Sequence, residues 1–454
     1  MSTHRVIVIG GGFAGLSAAV ELARHGEKVL VLEARPGLGG RATAFTDRHT
    51  GERVDNGQHV LLGCYHETFA FLKTIGADQN VRLQTTLDVP FVDREGRRSR
   101  LQCPPLKPPW HLLGGLAEWS ALGLRDRLAV LKLAEPIRIA RRQLRGDHAM
   151  ISASPGETVQ GWLMRNEQTP RLCEILWEPL ALAALNQSPR EAGAPIFARV
   201  LAQMFGGAAN DAAIGIPVRP LDEMYANPAR AYIDRRGGQV RTNAPAKIVC
   251  EGERVAHVLV QDERLQADAV IAAVPWFALS DLIVSPPALL QPVIRAAAGT
   301  AASPIVTVNL WLDRQVLDSP FLGLPGRTMQ WVFDKREAFG NAASHLSLVS
   351  SGASDVFGRS NDELIALAFD EILEALPDAR RARLTRATVV RERRATFSLA
   401  PGQPPRPATR TGVQGLVLSG DWIETGLPAT IEGAVLSGRL AAEAVLSARA
   451  QKLQ

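Results

Sequence analysis

The order of apolar and polar positions along the chain predicts alternating strands and helices, as in an α/β protein. Short apolar runs bounded by Gly, Pro or charged residues predict buried strands, and apolar residues recurring every three or four positions predict helices. The predicted strands are residues 6–9, 28–33, 237–243, 254–260, 268–275, 305–312, 329–333, 345–349 and 416–419. Helices are predicted over residues 16–25, most of 86–214, 361–376 with a cap at Ser360 or Asn361, and after Thr430.

The first strand runs directly into glycines with the spacing G-x-G-x-x-G, at Gly10, Gly12 and Gly15. In a βαβ unit the first glycine makes a tight turn, the second lets N–H groups approach a pyrophosphate, and the third allows close helix packing. Glu33 ends the second apolar run, where a carboxylate accepts hydrogen bonds from a ribose hydroxyl. Together these features predict a dinucleotide with an unphosphorylated ribose, although the glycines alone would also fit a plain structural turn.

Two further segments favour FAD over NAD. Residues 35–41 add glycines and two arginines directly after the ribose-binding acid, which suits a pyrophosphate that is held permanently. A later strand ends in Gly420 and Asp421, and a helix follows at Thr430. An aspartate there can bond ribityl hydroxyls, and the helix N terminus favours the flavin N1/O2 edge. The alternative interpretation makes Asp421 a turn residue and Gly433 and Gly438 helix-packing positions.

The chain resembles the flavin amine oxidase and phytoene desaturase superfamily over nearly its whole length. The general part of the resemblance is GGGFAGL from Gly10, EARPGLGGR from Glu33, LSGDW from Leu418 and the helix IEGAVLSGRLAA from Ile431. A narrower part resembles the hydroxysqualene dehydroxylases, once called squalene-associated FAD-dependent desaturases. It comprises VDNGQHVLLGCY from Val54, ETFAFL from Glu67 and WEPLALAALN from Trp177.

The resemblance implies an α/β fold with a Rossmann-like FAD-binding domain and a discontinuous substrate domain, a mixed sheet covered by helices. We expect residues 1–85, 215–290 and 405–454 in the FAD-binding domain, and residues 86–214 and 291–404 in the substrate domain. The residues expected to contact FAD are Gly10, Gly12, Ala14, Gly15, Glu33, Ala34, Arg35, Gly39, Gly40, Arg41, Gly57, Gln58, Val249, Gly420, Asp421, Thr430 and Ile431.

Length, cysteine content and charge narrow the class of protein. A chain of 454 residues with 46% hydrophobic composition exceeds one ordinary domain. Its four cysteines lie far apart without metal-ligand spacing, so we expect no metal site and a cytoplasmic location. No stretch reads as a signal peptide or a membrane span. The net charge of +5 comes from dispersed arginines, and without a nucleic-acid motif we expect no nucleic-acid partner.

One segment, residues 104–145, combines apolar and aromatic residues with arginines. Leu124, Leu128 and Leu131 share one helical face, and a cluster of arginines follows from Arg138 to Arg145. This pattern suits peripheral contact with anionic lipid at the inner face of the membrane. The ordinary alternative is a helix whose leucines face the protein core.

The candidate catalytic residues lie in the segment that resembles the family segment beside the isoalloxazine ring. Removing a hydroxyl from an allylic carbon needs a proton donor beside the leaving oxygen and hydride from reduced flavin. His59 titrates near neutrality and is our candidate donor, with Asp55 orienting or charging it. The alternative is that this polar turn only satisfies backbone groups.

Three functions therefore stay open. The first is reductive dehydroxylation of hydroxysqualene to squalene, a hopanoid or sterol precursor, with an isoprenoid lipid as substrate. The second is a polyprenyl or carotenoid desaturase or an amine oxidase on the same fold, which would run hydride from substrate to flavin. The third is a non-enzymatic prenyl-lipid escort. The sequence identifies no external electron donor.

Overall fold

The computed structural model describes residues 6–340 and 344–452. Residues 1–5 and 453–454 of the predicted FAD-binding segments, and residues 341–343 of the predicted substrate domain, lie outside the described residues. The strands are β1 Val6–Ile9, β2 Val29–Leu32, β3 Ala44–Thr46, β4 Arg53–Asp55, β5 Leu61–Leu62, β6 Val81–Leu83, β7 Asp88–Val92, β8 Arg98–Gln102, β9 Ile214–Pro217, β10 Gln239–Arg241, β11 Ala246–Glu251, β12 Arg254–Val260, β13 Glu263–Leu265, β14 Ala269–Ala272, β15 Ile283–Val284, β16 Ala302–Leu312, β17 Phe321–Gly323, β18 Trp331–Asp334, β19 Ser344–Ser351, β20 Leu384–Phe397 and β21 Leu416–Leu418.

The helices cover the sheets on several sides. They are α1 Phe13–Arg24, α2 His66–Thr74, α3 Trp110–Glu118, α4 Leu124–Val130, α5 Ala134–Leu144, α6 Val159–Arg165, α7 Pro170–Leu172, α8 Glu178–Leu185, α9 Ala194–Met204, α10 Asn227–Arg235, α11 Leu279–Leu282, α12 Gln291–Gly299, α13 Lys335–Phe339, α14 Asn361–Ala375 and α15 Ile431–Lys452. Two π-helical turns, Cys173–Trp177 and Asp222–Ala226, lead into α8 and α10.

A parallel sheet with strand order β10-β2-β1-β14-β21 forms the centre of the dinucleotide-binding part. Its central strands are apolar throughout because both faces of the sheet are covered. Val6 and Val8 pack with α1 and α15 on one face. Ile7 and Ile9 pack on the other face against the four-stranded sheet β13-β12-β11-β15. The carboxyl end of β1 therefore points into the start of α1, as the glycine spacing predicts.

A second sheet has seven strands in the order β20-β16-β19-β18-β17-β7-β8. It is antiparallel apart from a short parallel pairing of β17 with β7. One face packs on α14, through residues such as Val306, Val308 and Leu364. The opposite face, with Phe91, Phe321 and Val349, meets the helical region between α3 and α9. This is a mixed sheet covered by helices, so the predicted fold class is confirmed.

Most of the predicted strands and helices form within a few residues of the predicted positions, but twelve of the described strands were not predicted, among them β7, β8 and β20. β7 and β8 lie inside the region that was predicted to be largely helical. The strand pattern of β7 is hard to recognise because the strand is short and contains Pro90, a residue that is uncommon inside strands. β20 carries several arginines because it lies at the edge of the sheet, where charge discourages pairing with other chains. The division of the chain into two domains stays a prediction.

Asn186 joins the helical region to the second sheet. It ends α8 in the left-handed conformation, with φ of 52°. Its buried amide donates to the carbonyl of Ser303 and to the hydroxyl of Thr396, and accepts from the N–H of Gly352. The narrower sequence motif that ends at this residue is therefore explained by its position between α8 and strands β16, β19 and β20.

Candidate active site

Two glycine turns face each other at the carboxyl end of β1. The N–H of Gly39 donates to the carbonyl of Gly11 at 2.8 Å, which holds the second turn against the first. A Cβ added to Gly12 would come no closer than 3.9 Å to Gly39 and Gly40, so space remains at this position. At Gly15 the same addition would collide with the carbonyl oxygen of Gly10. Internal packing therefore explains the glycine at position 15 but does not explain the glycine at position 12.

The first turn of α1 is available to an anion. Gly12 caps this helix, and within the described residues no side chain accepts its first N–H groups. A helix N terminus with free amides and partial positive charge is a ready site for phosphate. Ala14 lies in this turn and is buried. The arrangement fits the pyrophosphate of FAD.

The buried carboxylate of Glu33 lies beside this turn. It accepts hydrogen bonds from the N–H of Gly11 at 2.7 Å and of Arg35 at 2.9 Å, one on each oxygen. Each carboxylate oxygen keeps a further lone pair that can accept from a ribose hydroxyl. Ala34 lies between Glu33 and Arg35 in the chain. The guanidinium of Arg35 donates to the carbonyl of Gly40 at 3.3 Å. Glu33 therefore fits its predicted role and also fixes the turn.

Arg41 and Asp421 connect the two ends of the predicted cofactor site. The guanidinium donates to the Asp421 carboxylate at 2.6 Å and to the carbonyl of Ala395 at 2.7 Å. Gly420 precedes the carboxylate with φ of 150°, and its N–H donates to the hydroxyl of Ser437 in α15. These contacts bring the N-terminal and C-terminal motifs to one place, as the FAD prediction requires.

The start of α15 is ordered by Thr430. Its hydroxyl accepts from the N–H of Gly433 at 3.1 Å, which caps the helix. Ile431 is the first helical residue and is partly buried. Gly438 packs so closely on α1 that a Cβ would collide with the carbonyl of Ala14. The packing role that the sequence allowed for Gly438 is therefore present together with the predicted helix start.

Within the described contacts, Val249 has no direct connection to this group. It lies in β11, where it pairs with His257 and Val284. The chain before β11 does reach the site, because the N–H groups of Asn243 and Ala244 donate to the carbonyls of Arg35 and Glu33. A role for Val249 stays a prediction.

A buried ion pair lies in the segment that was predicted to pass beside the flavin. Lys335 Nζ is 2.8 Å from Asp55 Oδ2, and the two side chains are only 2% and 3% exposed. Lys335 also donates to Gln58 Oε1 at 2.8 Å, and the other Asp55 oxygen accepts from the N–H of Leu221. Gly57 adopts φ of 88°, which lets the chain turn between the two partners of the lysine.

His59 is held by the same turn. Its Nδ1 is 3.1 Å from the carbonyl of Gly57, so Nδ1 carries the hydrogen and Nε2 keeps the lone pair in the neutral ring. Burial lowers the pKa of the imidazole below its usual value, although the Asp55 carboxylate opposes this. Asp55 makes its hydrogen bonds to Lys335 and Leu221. It therefore acts on His59 through charge alone.

An apolar cavity of about 450 Å³ is lined by Gln58 and by residues of α3 and α5. Most of its wall is aliphatic or aromatic, with Phe91, Trp177 and Phe333 among the larger residues. Within the described lining the polar groups belong to Gln58, Ser351, Arg138, Arg141 and two tryptophans, and no carboxylate is present. The cavity suits a neutral hydrocarbon chain.

The cavity lies beside an exposed apolar surface, here called the leucine surface. It consists of Leu106, Trp110, Leu124, Leu128 and Leu131, which are 49%, 64%, 72%, 57% and 49% exposed. The alternative that these leucines face the core is therefore wrong. Leu131 also lines the cavity, which connects the surface to the interior. Among the described residues, no helix has the length and hydrophobicity needed to cross a bilayer.

Sequence reasoning missed Lys335 and Tyr225. Lys335 begins α13 directly after β18, 280 residues after Asp55, and nothing in its local sequence indicates a buried partner. The Tyr225 hydroxyl donates to the carbonyl of Gly39 at 2.8 Å, and its ring stacks on Phe13. The Tyr225 hydroxyl therefore fixes the position of the second glycine turn through its hydrogen bond to Gly39. No local pattern distinguishes it from an ordinary core tyrosine.

Solved structures share this architecture. An oxidoreductase from Methanosarcina mazei superposes with a TM-score of 0.76 at 19% identity, over 97% of this chain and 100% of that one. A putrescine oxidase superposes with a TM-score of 0.75 at 17% identity, over 98% and 99%. At these identities the likeness establishes the fold.

Sequence relatives extend over the same length. Hydroxysqualene dehydroxylase from Zymomonas mobilis is 31% identical over 97% of this chain and 98% of its own length. The enzyme of the same name from Sinorhizobium fredii is also 31% identical, over the same shares. The 15-cis-phytoene desaturase of Synechococcus elongatus is 26% identical over 99% of this chain and 97% of its own length.

The profile of one protein family, described as flavin containing amine oxidoreductase, matches residues 13–446. That range includes the second glycine turn, Asp421 and the start of α15, and the match covers most of the chain. FAD is therefore the cofactor, and the predictions of an enzyme and of its superfamily are confirmed. The chain is an FAD-dependent oxidoreductase and belongs to the flavin containing amine oxidoreductase family.

Proposed function

We propose that the protein reductively removes the hydroxyl group of hydroxysqualene to form squalene, a precursor of hopanoids and sterols. The observation that carries this proposal is the long apolar cavity that reaches Gln58 without a carboxylate in its described lining. An amine oxidase binds a cationic substrate, for which such a cavity offers no counter-charge, so an isoprenoid is favoured over an amine. The two relatives named hydroxysqualene dehydroxylase support the same substrate.

The proposed reaction breaks one C–O bond and forms one C–H bond. The hydroxyl oxygen leaves as water after it accepts a proton, and the allylic carbon receives a hydride. FAD, when bound in its reduced form, supplies that hydride and is oxidised by two electrons. The apolar walls hold the chain and exclude water from the allylic cation. The external electron donor that reduces the flavin is unidentified.

His59 stays our candidate for the proton donor. The Gly57 carbonyl holds Nδ1–H, so Nε2 is the atom that takes up and passes on the proton. Because burial lowers the pKa of this ring, few molecules are protonated at neutral pH, but the protonated form is a stronger acid. The Asp55 carboxylate opposes this lowering of the pKa through its charge.

We further propose that the leucine surface rests on the inner leaflet of an anionic membrane. Leu131 of this exposed surface lines the cavity, and Arg138 lines the same cavity. Apolar residues that enter the acyl region beside cations that meet lipid phosphates are typical of peripheral membrane proteins. A substrate that is insoluble in water would then enter without crossing the cytoplasm.

A desaturase is the second candidate, favoured by the phytoene desaturase relative and by the same cavity. The escort function loses its support, because the chain is an FAD-dependent oxidoreductase. Direction of hydride flow separates the two remaining reactions. A dehydroxylase oxidises its reduced flavin on meeting the alcohol, whereas a desaturase reduces its oxidised flavin on meeting the more saturated hydrocarbon.

The test is anaerobic mixing of dithionite-reduced holoenzyme with hydroxysqualene in detergent, followed by absorbance and product mass spectrometry. We expect re-oxidation of the flavin and formation of squalene. His59→Ala should retain FAD and be reduced normally but re-oxidise about 10² to 10⁴ times more slowly. Oxidised enzyme mixed with phytoene is the parallel reaction. Bleaching there, with no reaction of hydroxysqualene, would establish the desaturase instead.

A further inference from the structure

The amide of Gln58 has an orientation that its neighbours determine chemically. A lysine ammonium only donates hydrogen bonds, so the atom of Gln58 that lies 2.8 Å from Lys335 Nζ must be the amide oxygen. The amide nitrogen therefore points the other way, where it donates to the carbonyl of His59 at 3.0 Å. An amide nitrogen carries two hydrogens, and this contact uses one of them.

Lys335 is itself held in one place. Its partner Asp55 is buried and is fixed in turn by the N–H of Leu221 at 3.1 Å. The ring of Phe339 lies 4.0 Å from the ammonium on another side. An ion pair of this kind keeps a charged donor beside the amide oxygen, and a charged donor makes a stronger hydrogen bond than a neutral one. It also polarises the amide, which makes the remaining N–H a better donor.

Gln58 lines the apolar cavity, and its amide lies directly beside the buried ion pair. Trp331, another lining residue with an N–H donor, begins β18, four residues before Lys335 in the chain. Its indole N–H is buried without a partner. Among the described lining residues, Gln58 is the neutral donor that is hydrogen bonded to the ion pair.

We propose that Gln58 donates a hydrogen bond to the hydroxyl oxygen of the allylic alcohol, and that Lys335, paired with Asp55, is the residue that positions it. This assignment rests on the proposed function, because it needs a substrate with an oxygen. Gln58 then distinguishes the alcohol from the hydrocarbon product of the same chain length. When the hydrocarbon binds, the N–H of Gln58 has no oxygen to donate to. Binding of the alcohol is therefore favoured over binding of the hydrocarbon.

The experiment measures the dissociation constants of hydroxysqualene and squalene for the oxidised holoenzyme, from changes in flavin absorbance in detergent. The parent enzyme should bind the alcohol more tightly than the hydrocarbon. Gln58→Leu should reduce that preference by about 3- to 10-fold, mainly through weaker binding of the alcohol. Gln79→Leu, the same change at an exposed glutamine of the first half of the chain, should leave the preference unchanged.

Two further variants keep the test decisive. The double variant Asp55→Asn with Lys335→Met removes both buried charges at once, and it should lower the preference while flavin occupancy is retained. Trp331→Phe removes the unpartnered N–H and keeps an aromatic ring. A preference that survives in Gln58→Leu but falls in Trp331→Phe would overturn the assignment in favour of Trp331.

Different results would refute the role of Gln58 and the proposed reaction. If the parent enzyme shows no preference for the alcohol, the role of Gln58 is overturned. The reaction itself is judged separately, by whether reduced enzyme converts hydroxysqualene to squalene. Turnover with an unchanged preference in Gln58→Leu would thus refute the inference alone, whereas absence of turnover would refute the dehydroxylase.

Discussion

The guanidinium of Arg41 and the carboxylate of Asp421 lie 2.6 Å apart although 380 residues separate them in the chain. The pair closes the cofactor site by joining the second glycine turn to the segment before α15. Both residues were predicted to contact FAD. Beyond this contact, Arg41 has further N–H donors and Asp421 has further acceptor lone pairs for the cofactor. Their mutual attraction holds the two segments in place for the cofactor.

We expect Asp421→Ala to weaken FAD binding by about tenfold or more, because Arg41 loses its partner and a ribityl contact is lost. Titration of apoprotein with FAD, followed by flavin fluorescence, measures this. Glu424→Ala is a matched control, since Glu424 also pairs with an arginine in the same segment but is exposed. Equal affinities in the two variants would contradict a role for Asp421.

The glycines of the first turn should fail in different ways. Gly12→Val should fold, because the protein leaves space there, but should purify without FAD because the side chain enters the pyrophosphate site. Gly15→Val should not fold, because its side chain meets the backbone of Gly10. Gly37→Ala, in open space, should change neither property. Circular dichroism of the purified variants measures folding, and flavin absorbance measures the FAD content. A yellow Gly12→Val protein would rule out the predicted pyrophosphate position.

Membrane contact should depend on the leucine surface. Leu124→Gln with Leu128→Gln should reduce sedimentation with phosphatidylglycerol vesicles by about tenfold or more, since burial of one leucine contributes about 1.5 to 3 kcal/mol. Turnover of substrate dispersed in detergent should change little. Leu289→Gln, at a comparably exposed leucine distant in the chain, is the control. Undiminished vesicle binding by the double variant would exclude this surface.

The arginines near this surface are not equivalent. Arg141 donates to the carbonyl of Gly206 and so has a structural contact. Arg138 pairs with Glu135 on the exposed face of α5. We expect Arg138→Glu with Arg142→Glu to weaken binding to anionic vesicles, by about 1 kcal/mol for each lost cation, and to leave binding to neutral vesicles unchanged. Equal losses on both kinds of vesicle would point to misfolding.

Stability should fall in mild acid. His345 is fully buried, and burial lowers its pKa from 6.5 to about 3. The unfolded chain takes up a proton as the pH falls below 6.5, whereas the folded protein does not. The stabilisation is therefore complete above pH 6.5 and is lost as the pH falls towards 3. At pH 5 the loss from this residue is about 2 kcal/mol.

Urea unfolding at pH 7 and pH 5 measures this dependence. His345→Gln should be less stable at pH 7 but should lose less stability between the two pH values than the parent. His25→Gln, at an exposed histidine, should follow the parent. His59 and His111, whose pKa values burial also lowers, contribute in the same direction and remain in both variants. An unchanged difference in His345→Gln would show that this imidazole does not stay neutral in the folded protein.

The glycine turns, Glu33 and the C-terminal Gly420–Asp421 were predictable because their chemistry is local. Each needs particular residues at fixed spacing, and β1, β2 and α1 formed where that spacing indicated. The apolar strands of the second sheet were predictable for the same reason, since their burial is visible in the run of residues itself. Strand β20 was not predictable, because its partly exposed positions carry polar residues and obscure the alternation of apolar and polar residues that marks a strand.

The environment of Asp55 and His59 was not predictable from the segment that contains them. The candidate residues were found, but the ion pair that fixes Asp55 depends on Lys335, which lies 280 residues away in the chain and follows β18 of the seven-stranded sheet. The leucine face of α4 was ambiguous in a similar way. A periodic apolar face has the same sequence whether it meets a core or a membrane.

The parallel sheet has a consequence for the order in which the chain acquires its structure. β1 lies in the middle of that sheet, but its neighbour β14 and the edge strand β21 are synthesised hundreds of residues later. The N-terminal βαβ unit therefore leaves the ribosome with a buried strand still uncovered on one side. Long-range pairing of this kind slows folding and exposes apolar edges. We expect nascent chains that end before Leu416 to aggregate or to engage chaperones, and FAD to be incorporated only after α15 has been made.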